Sequence, residues 1–189
     1  MPRPPTLPTL DWESILAKGL DFEAWLAKAE FEEKRAKMEE ARKTQALDPA
    51  VEAHLAALPR RVHVAAIAED WCGDVVRHAP VLQRMADAAP NLSVRFLYRE
   101  QVPEVFVRFL TNGGEAIPKF IFLSDKFVEC GHWGPLPSAC AERIARGKAC
   151  GDVKAAREKV KQLCEADSEK RAVVSELLHL IDIASSATP

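Results

Sequence analysis

No run of eighteen apolar residues occurs in the 189-residue chain, so nothing in it is long enough to cross a bilayer as a helix. No secretion signal is expected either. The opening MPRPPTLPTLDW places prolines where such a signal needs an apolar core. A cytoplasmic protein with no membrane partner is the expectation. Basic charge is not in excess: 26 Lys and Arg face 28 Asp and Glu, for a net charge of −2. Broad binding to a nucleic-acid backbone needs a basic excess or a basic stripe, so this balance argues against it. Metal-ligand spacings are absent as well. Neither C-x-x-C nor H-x-x-x-H appears, and His54, His63, His78, His132 and His179 form no ligand pair. No metal or other cofactor is expected. The five cysteines are an odd count without a small secreted framework, which fits reduced thiols. There is no internal repeat and no low-complexity tract.

What remains is a chain 48% apolar and 29% charged, enough to pack one core of ordinary size. Residues 1–9 hold four prolines and read as an extended arm. Asp11 or Ser14 can cap a short helix. From Asp21 the apolar spacing predicts a helix running to about Gln45, with EFEEKRAKMEEARK (30–43) as its solvated face. Asp48-Pro49 opens another helix, ending near Pro59. RVHVAAIA (61–68) reads as a buried strand, and helical spacing returns from Val75 to Ala89. LSVRFLY (92–98) is a second strand, Pro103–Leu110 a short helix, and NGG at 112–114 a break. PKFIFLS (118–124) and KFVECGHW (126–133) read as two strands joined by a tight turn. A helix follows from Pro137 to Arg146, stopped by Gly147, and then a helical tail in two pieces around 166–168. The expected class is α/β: a small mixed sheet flanked by helices. Residues 1–60 are a helical extension, 61–150 the sheet domain and 151–189 a second helical extension.

AEDWCGDVV (68–76) sits where a strand ends and a helix begins. WCGDV resembles the W-C-G-P-C active site of thioredoxins. Pro80 lies eight residues after Cys72, Ile117-Pro118 opens a strand like the cis-proline loop of that fold, and Gly134 follows sixteen residues later. Together with LTNGGEAIP, FIFL and HWGP, these residues are similar to a bacterial thioredoxin-like family carrying an N-terminal helical extension. The resemblance implies a thioredoxin-like fold, with Cys72 as nucleophile and Trp71, Gly73, Asp74, Ile117 and Pro118 contacting the substrate. Protein disulfides or low-molecular-weight thiols and disulfides are the implied partners. The oligomeric state is open.

A cysteine in the first turn of a helix faces unpaired N–H groups and the positive end of the dipole. Both favour the thiolate, so such a thiol titrates below the usual value of about 8.5. Gly73 permits close approach of a partner backbone, and Trp71 shields the sulfur. Asp74, standing where thioredoxins have proline, opposes the dipole with its own charge. Val75 replaces the resolving cysteine, and Ala66 stands where thioredoxins bury an aspartate. A monothiol thiol–disulfide oxidoreductase resolved by an external thiol is one reading. A non-catalytic protein-binding module on the same fold is the other. Cys130, Cys140, Cys150 and Cys164 read as small core residues, and His78 as an exposed helix histidine. Glu69 and Asp70 are expected to solvate the rim of the sheet. Trp133 and Pro135 either rim a groove or pack under the last helix. Trp12, Phe22 and Trp25 are expected to anchor the N-terminal helices.

Overall fold

The computed structural model describes residues 7–188, so most of the proline-rich arm lies outside the described residues. Four strands form the sheet: β1 (Val62–Ile67), β2 (Leu92–Leu97), β3 (Lys119–Leu123) and β4 (Glu129–Trp133). Their order is β2-β1-β3-β4. β1 and β2 are parallel, as the helical crossover between them requires, whereas β3 runs antiparallel to both β1 and β4. β1 and β3 are buried along nearly their whole length. This is why both read as unbroken apolar runs rather than alternating ones.

Ahead of the sheet come α1 (Trp12–Ala17), α2 (Phe22–Leu26), α3 (Glu32–Thr44) and α4 (Pro49–Ala56). Asp11, Asp21 and Asp48 cap α1, α2 and α4, each carboxylate accepting from a backbone N–H two or three residues on. The single helix expected from Asp21 to Gln45 is in fact two, interrupted at residues 27–31. The break is tertiary in origin. Asp70, far along the chain, accepts from Glu30 N–H at 2.7 Å and Phe31 N–H at 3.1 Å, and so holds the two residues that lead into α3. Spacing within 21–45 carries no trace of that partner.

α2 seats its aromatic residues on the sheet. Trp25 stacks on Phe96 of β2 at 5.0 Å between ring centroids, with Phe22 5.3 Å from the same ring. Complete burial of side chains this size contributes roughly 2–3 kcal/mol each. Just before α2, Leu20 exchanges two backbone hydrogen bonds with Phe96, of 2.9 and 2.8 Å. The outer edge of β2 is thereby covered, which removes a site of strand-to-strand aggregation.

After β1 come α5 (Gly73–Asp87), β2, a single 3₁₀ turn at Arg99–Gln101 and the short α6 (Pro103–Phe106). α6 is shorter than the expected Pro103–Leu110, because the chain turns through Thr111–Gly114 before β3. Past β4 lie α7 (Ser138–Cys150), α8 (Val153–Ala166) and α9 (Arg171–Ser185). Gly147 does not stop α7, which runs on to Cys150 and ends at Gly151 in the left-handed conformation (φ 81°). Gly147 is instead where α7 and α8 touch. A Cβ there would lie 2.3 Å from the Ala156 Cβ and 2.9 Å from the Asp152 carbonyl oxygen. The two-piece tail matches α8 and α9, separated at residues 167–170. Among the described residues no helix is long and apolar enough to cross a membrane.

Candidate functional site

Cys72 is the N-cap residue of α5, with extended backbone (φ −83°, ψ 124°) and a carbonyl that accepts from Val76 N–H at 3.0 Å. Its thiol does not cap the helix. It points across to the loop before β3 and donates to the Ile117 carbonyl oxygen at 3.5 Å. Cys72 is half-buried, while Ile117 and Pro118 are buried. The Ile117–Pro118 peptide bond is cis. The β1–β3 ladder ends at Ile67–Lys119, so Ile117 pairs with no strand of the sheet. Gly134, just past β4, backs this loop. It has φ 111°, and a Cβ there would fall 2.1 Å from the Pro118 carbonyl oxygen, a contact only glycine allows.

Cys72, Trp71, Gly73, Ile117 and Pro118 therefore come together at one end of the sheet. Trp71 is 46% exposed, with the Arg99 guanidinium carbon 5.3 Å over its ring and its carbonyl oxygen accepting from Lys34 Nζ. A Cβ on Gly73 would meet nothing within 4 Å, so the helix tip is open to an approaching chain. Asp74 lies one step round the helix. Burial holds its carboxyl above the ordinary carboxylate range, against the opposing pull of Arg77, whose Nη1 is 3.6 Å away. Val75, where a second active-site sulfur would stand, is fully buried, as is Ala66 on β1.

Several neighbours behave differently from expectation. Asp70 is 7% exposed and accepts from the backbone just ahead of α3 rather than solvating a rim. Glu69 is tied down too, its carboxylate accepting from Arg99 N–H at 3.0 Å. His78 is not exposed: it is 1% accessible, neither ring nitrogen has a partner, and its edge meets Trp133 at 5.1 Å. It lies on the inward face of α5, which the helical spacing could have indicated, since Val75, Ala79 and Leu82 share that face. Burial pushes its pKa down to about 3. Trp133 packs under α9, stacked on Phe120 at 5.4 Å and donating its indole N–H to Glu176 at 2.6 Å. Cys150 is exposed, so the reading of a core cysteine fails there; only Cys140 among the remaining four is buried.

Lys119 is a further residue of this region that the motif reading passed over. It directly follows Pro118, is 2% exposed, and donates from Nζ to Thr111 Oγ1 at 3.1 Å and to the Gly134 carbonyl at 2.8 Å. Burial holds its ammonium below the usual lysine range. Its sequence signal was a lone charge at the head of the apolar run KFIFL. By tying Gly134 to the first residue of β3 it fixes the loop that faces Cys72.

No curated protein matches the chain. Among solved structures it is similar to a protein of unknown function from Pseudomonas aeruginosa, at 17% identity and a TM-score of 0.68, covering 92% of this chain and 98% of that one. It is also similar to an HIV epitope-scaffold, at 18% identity and a TM-score of 0.63, covering 83% and 99% respectively. At such identities the likeness shows the fold alone. The sequence itself carries the family: a model described as thioredoxin matches residues 19–157, well over half the chain, and the protein thus belongs to a thioredoxin-like family.

Proposed function

We propose that the protein is a monothiol thiol–disulfide oxidoreductase with Cys72 as its nucleophile. One observation carries this reading: the Cys72 sulfur sits at the tip of α5, 3.5 Å from the carbonyl of an Ile117 that no strand occupies. An extended substrate chain can pair with Ile117 and bring its own disulfide to that sulfur. The Cys72 thiolate attacks one sulfur of the substrate; the substrate disulfide breaks, and one thiol leaves. The product is a mixed disulfide on Cys72. With Val75 one turn on, no neighbouring sulfur resolves it, and an external thiol such as glutathione completes the exchange.

A second reading has its own support. Trp71 and Phe31 are large, 46% and 44% exposed, and linked by Lys34, which reaches the Trp71 carbonyl and lies 4.5 Å from the Phe31 ring centre. An apolar pair of this kind suits a protein-binding platform that needs no thiol chemistry. The two readings separate in one experiment. Alkylation of the folded chain is followed residue by residue, and disulfide partners are trapped with the wild type and with Cys72→Ser. Under the oxidoreductase reading Cys72 alkylates at least tenfold faster than a free thiol at neutral pH, and the protein partners that the wild type traps are lost in Cys72→Ser. Alkylation no faster than a free thiol, with unchanged partner capture by Cys72→Ser, leaves the binding module.

A further inference from the structure

A second pair of sulfurs lies where α7 and α8 come up to α5. Cys140 lies in the first turn of α7 and Cys164 in the last turn of α8. Both line a cavity of about 120 Å³ together with Arg77, His78, Leu163 and Val173. Cys140 is 4% exposed, whereas Cys164 is partly open to solvent. Arg77 Nη1 donates to Cys164 Sγ at 3.7 Å, and the same Nη1 lies 3.6 Å from Asp74 Oδ1. His78, whose two ring nitrogens are buried without partners, also lines the cavity. Buried polar atoms normally find partners, so a wall of two thiols and an unsatisfied imidazole is a costly way to line a cavity meant only for packing.

We propose that Cys140 and Cys164 are a second thiol–disulfide site, oxidised by a low-molecular-weight disulfide to a reversible bond that ties α7 to α8. The order of events follows from the surroundings. Burial, and then the neighbouring Cys164, push the Cys140 thiol up, so it keeps its proton. Cys164 is the sulfur that solvent reaches and that faces the Arg77 guanidinium, so it attacks first. The S–S bond of the small disulfide breaks, a mixed disulfide forms on Cys164, and one small thiolate leaves and takes a proton from water. Cys140 then attacks the Cys164 sulfur. The mixed disulfide breaks, the Cys140–Cys164 bond forms, and the second small thiolate leaves with the proton that Cys140 gives up. Two protein thiols are oxidised, and one small disulfide is reduced to two thiols. A small thiol in excess reverses the reaction.

The test uses oxidised glutathione on the folded full-length Cys72→Ser chain, so the outcome does not depend on the Cys72 reading. Free thiols are then alkylated and the peptides mapped by mass. The expected result is loss of two of the four remaining thiols, recovered as one reducible crosslink between residues 140 and 164. Repeating the oxidation in concentrated urea should cut the yield of that crosslink several-fold, as other pairings compete. In Cys164→Ala, Cys140 should stay unmodified for as long as the chain is folded. Separate glutathione adducts on the two cysteines, a crosslink to Cys130 or Cys150, unchanged thiols, or ready modification of Cys140 in Cys164→Ala would each overturn the proposal.

Discussion

His78 carries a cost that burial alone sets. An imidazole with ordinary pKa 6.5 is held inside the protein at about 3, chiefly by desolvation and further by the nearby charges of Arg77 and Lys170. The unfolded chain therefore takes up a proton below about 6.5 that the folded chain refuses until about 3. Between those values the unfolded state binds more protons, so stability falls as pH falls, by up to about 1.4 kcal/mol per pH unit. His78→Leu keeps the apolar contact with Trp133 and removes both unpartnered nitrogens. Urea unfolding near pH 7.5 and near pH 5 should show the variant no less stable at the higher pH. At the lower pH it should keep on the order of 2 kcal/mol that the wild type loses. Equal losses in both proteins would mean that His78 charges freely in the native state.

At the level of elements, the junction between α3 and the Cys72 loop stands out. One carboxylate, Asp70, ends the gap between α2 and α3 and at the same time anchors the residues before the motif. Lys34, on the first turn of α3, adds a bond to the Trp71 carbonyl. The N-terminal helices thus hold the loop that presents Cys72, and do not merely decorate the sheet. Asp70→Ala leaves the Glu30 and Phe31 N–H donors, just ahead of α3, without acceptors. A loss of about 1–2 kcal/mol is expected in denaturant unfolding, with faster hydrogen exchange at the Glu30 and Phe31 amides. Amides that stay protected in the variant would show that another group holds the start of α3.

For the molecule as a whole, the terminal helices share the core with the sheet. Phe22, Trp25, Leu26, Met38, Leu55 and Leu58 are all buried against it, and Leu20 closes the edge of β2. At roughly 1.5–3 kcal/mol for each buried side chain, their sum rivals the 5–15 kcal/mol by which a whole domain is stable. A chain lacking residues 1–58 should therefore show no cooperative thermal transition, while the full chain unfolds in one step. A truncated chain melting at the same midpoint would mean that the sheet and its own helices suffice.

Much of the fold and site could be read from short-range patterns. Apolar runs marked β1 and β3, and Asp11, Asp21 and Asp48 are caps whose partners lie within three residues. WCGD and Ile117-Pro118 lie on the elements their neighbours suggested, since strand and helix signals there are local. Other features depend on partners distant in sequence. The gap at 27–31 comes from Asp70, 40 residues away from Glu30. The run of α7 through Gly147 comes from contact with α8, and the meeting of Cys140 and Cys164 in one cavity from the packing of the same two helices. By itself the sequence determined which segments are strands and helices and which sulfur tips α5, because propensity, spacing and capping act over a few residues. Tertiary structure alone decided what meets that sulfur, which charges are buried and which thiols are neighbours, because those follow from packing between segments that no local pattern encodes.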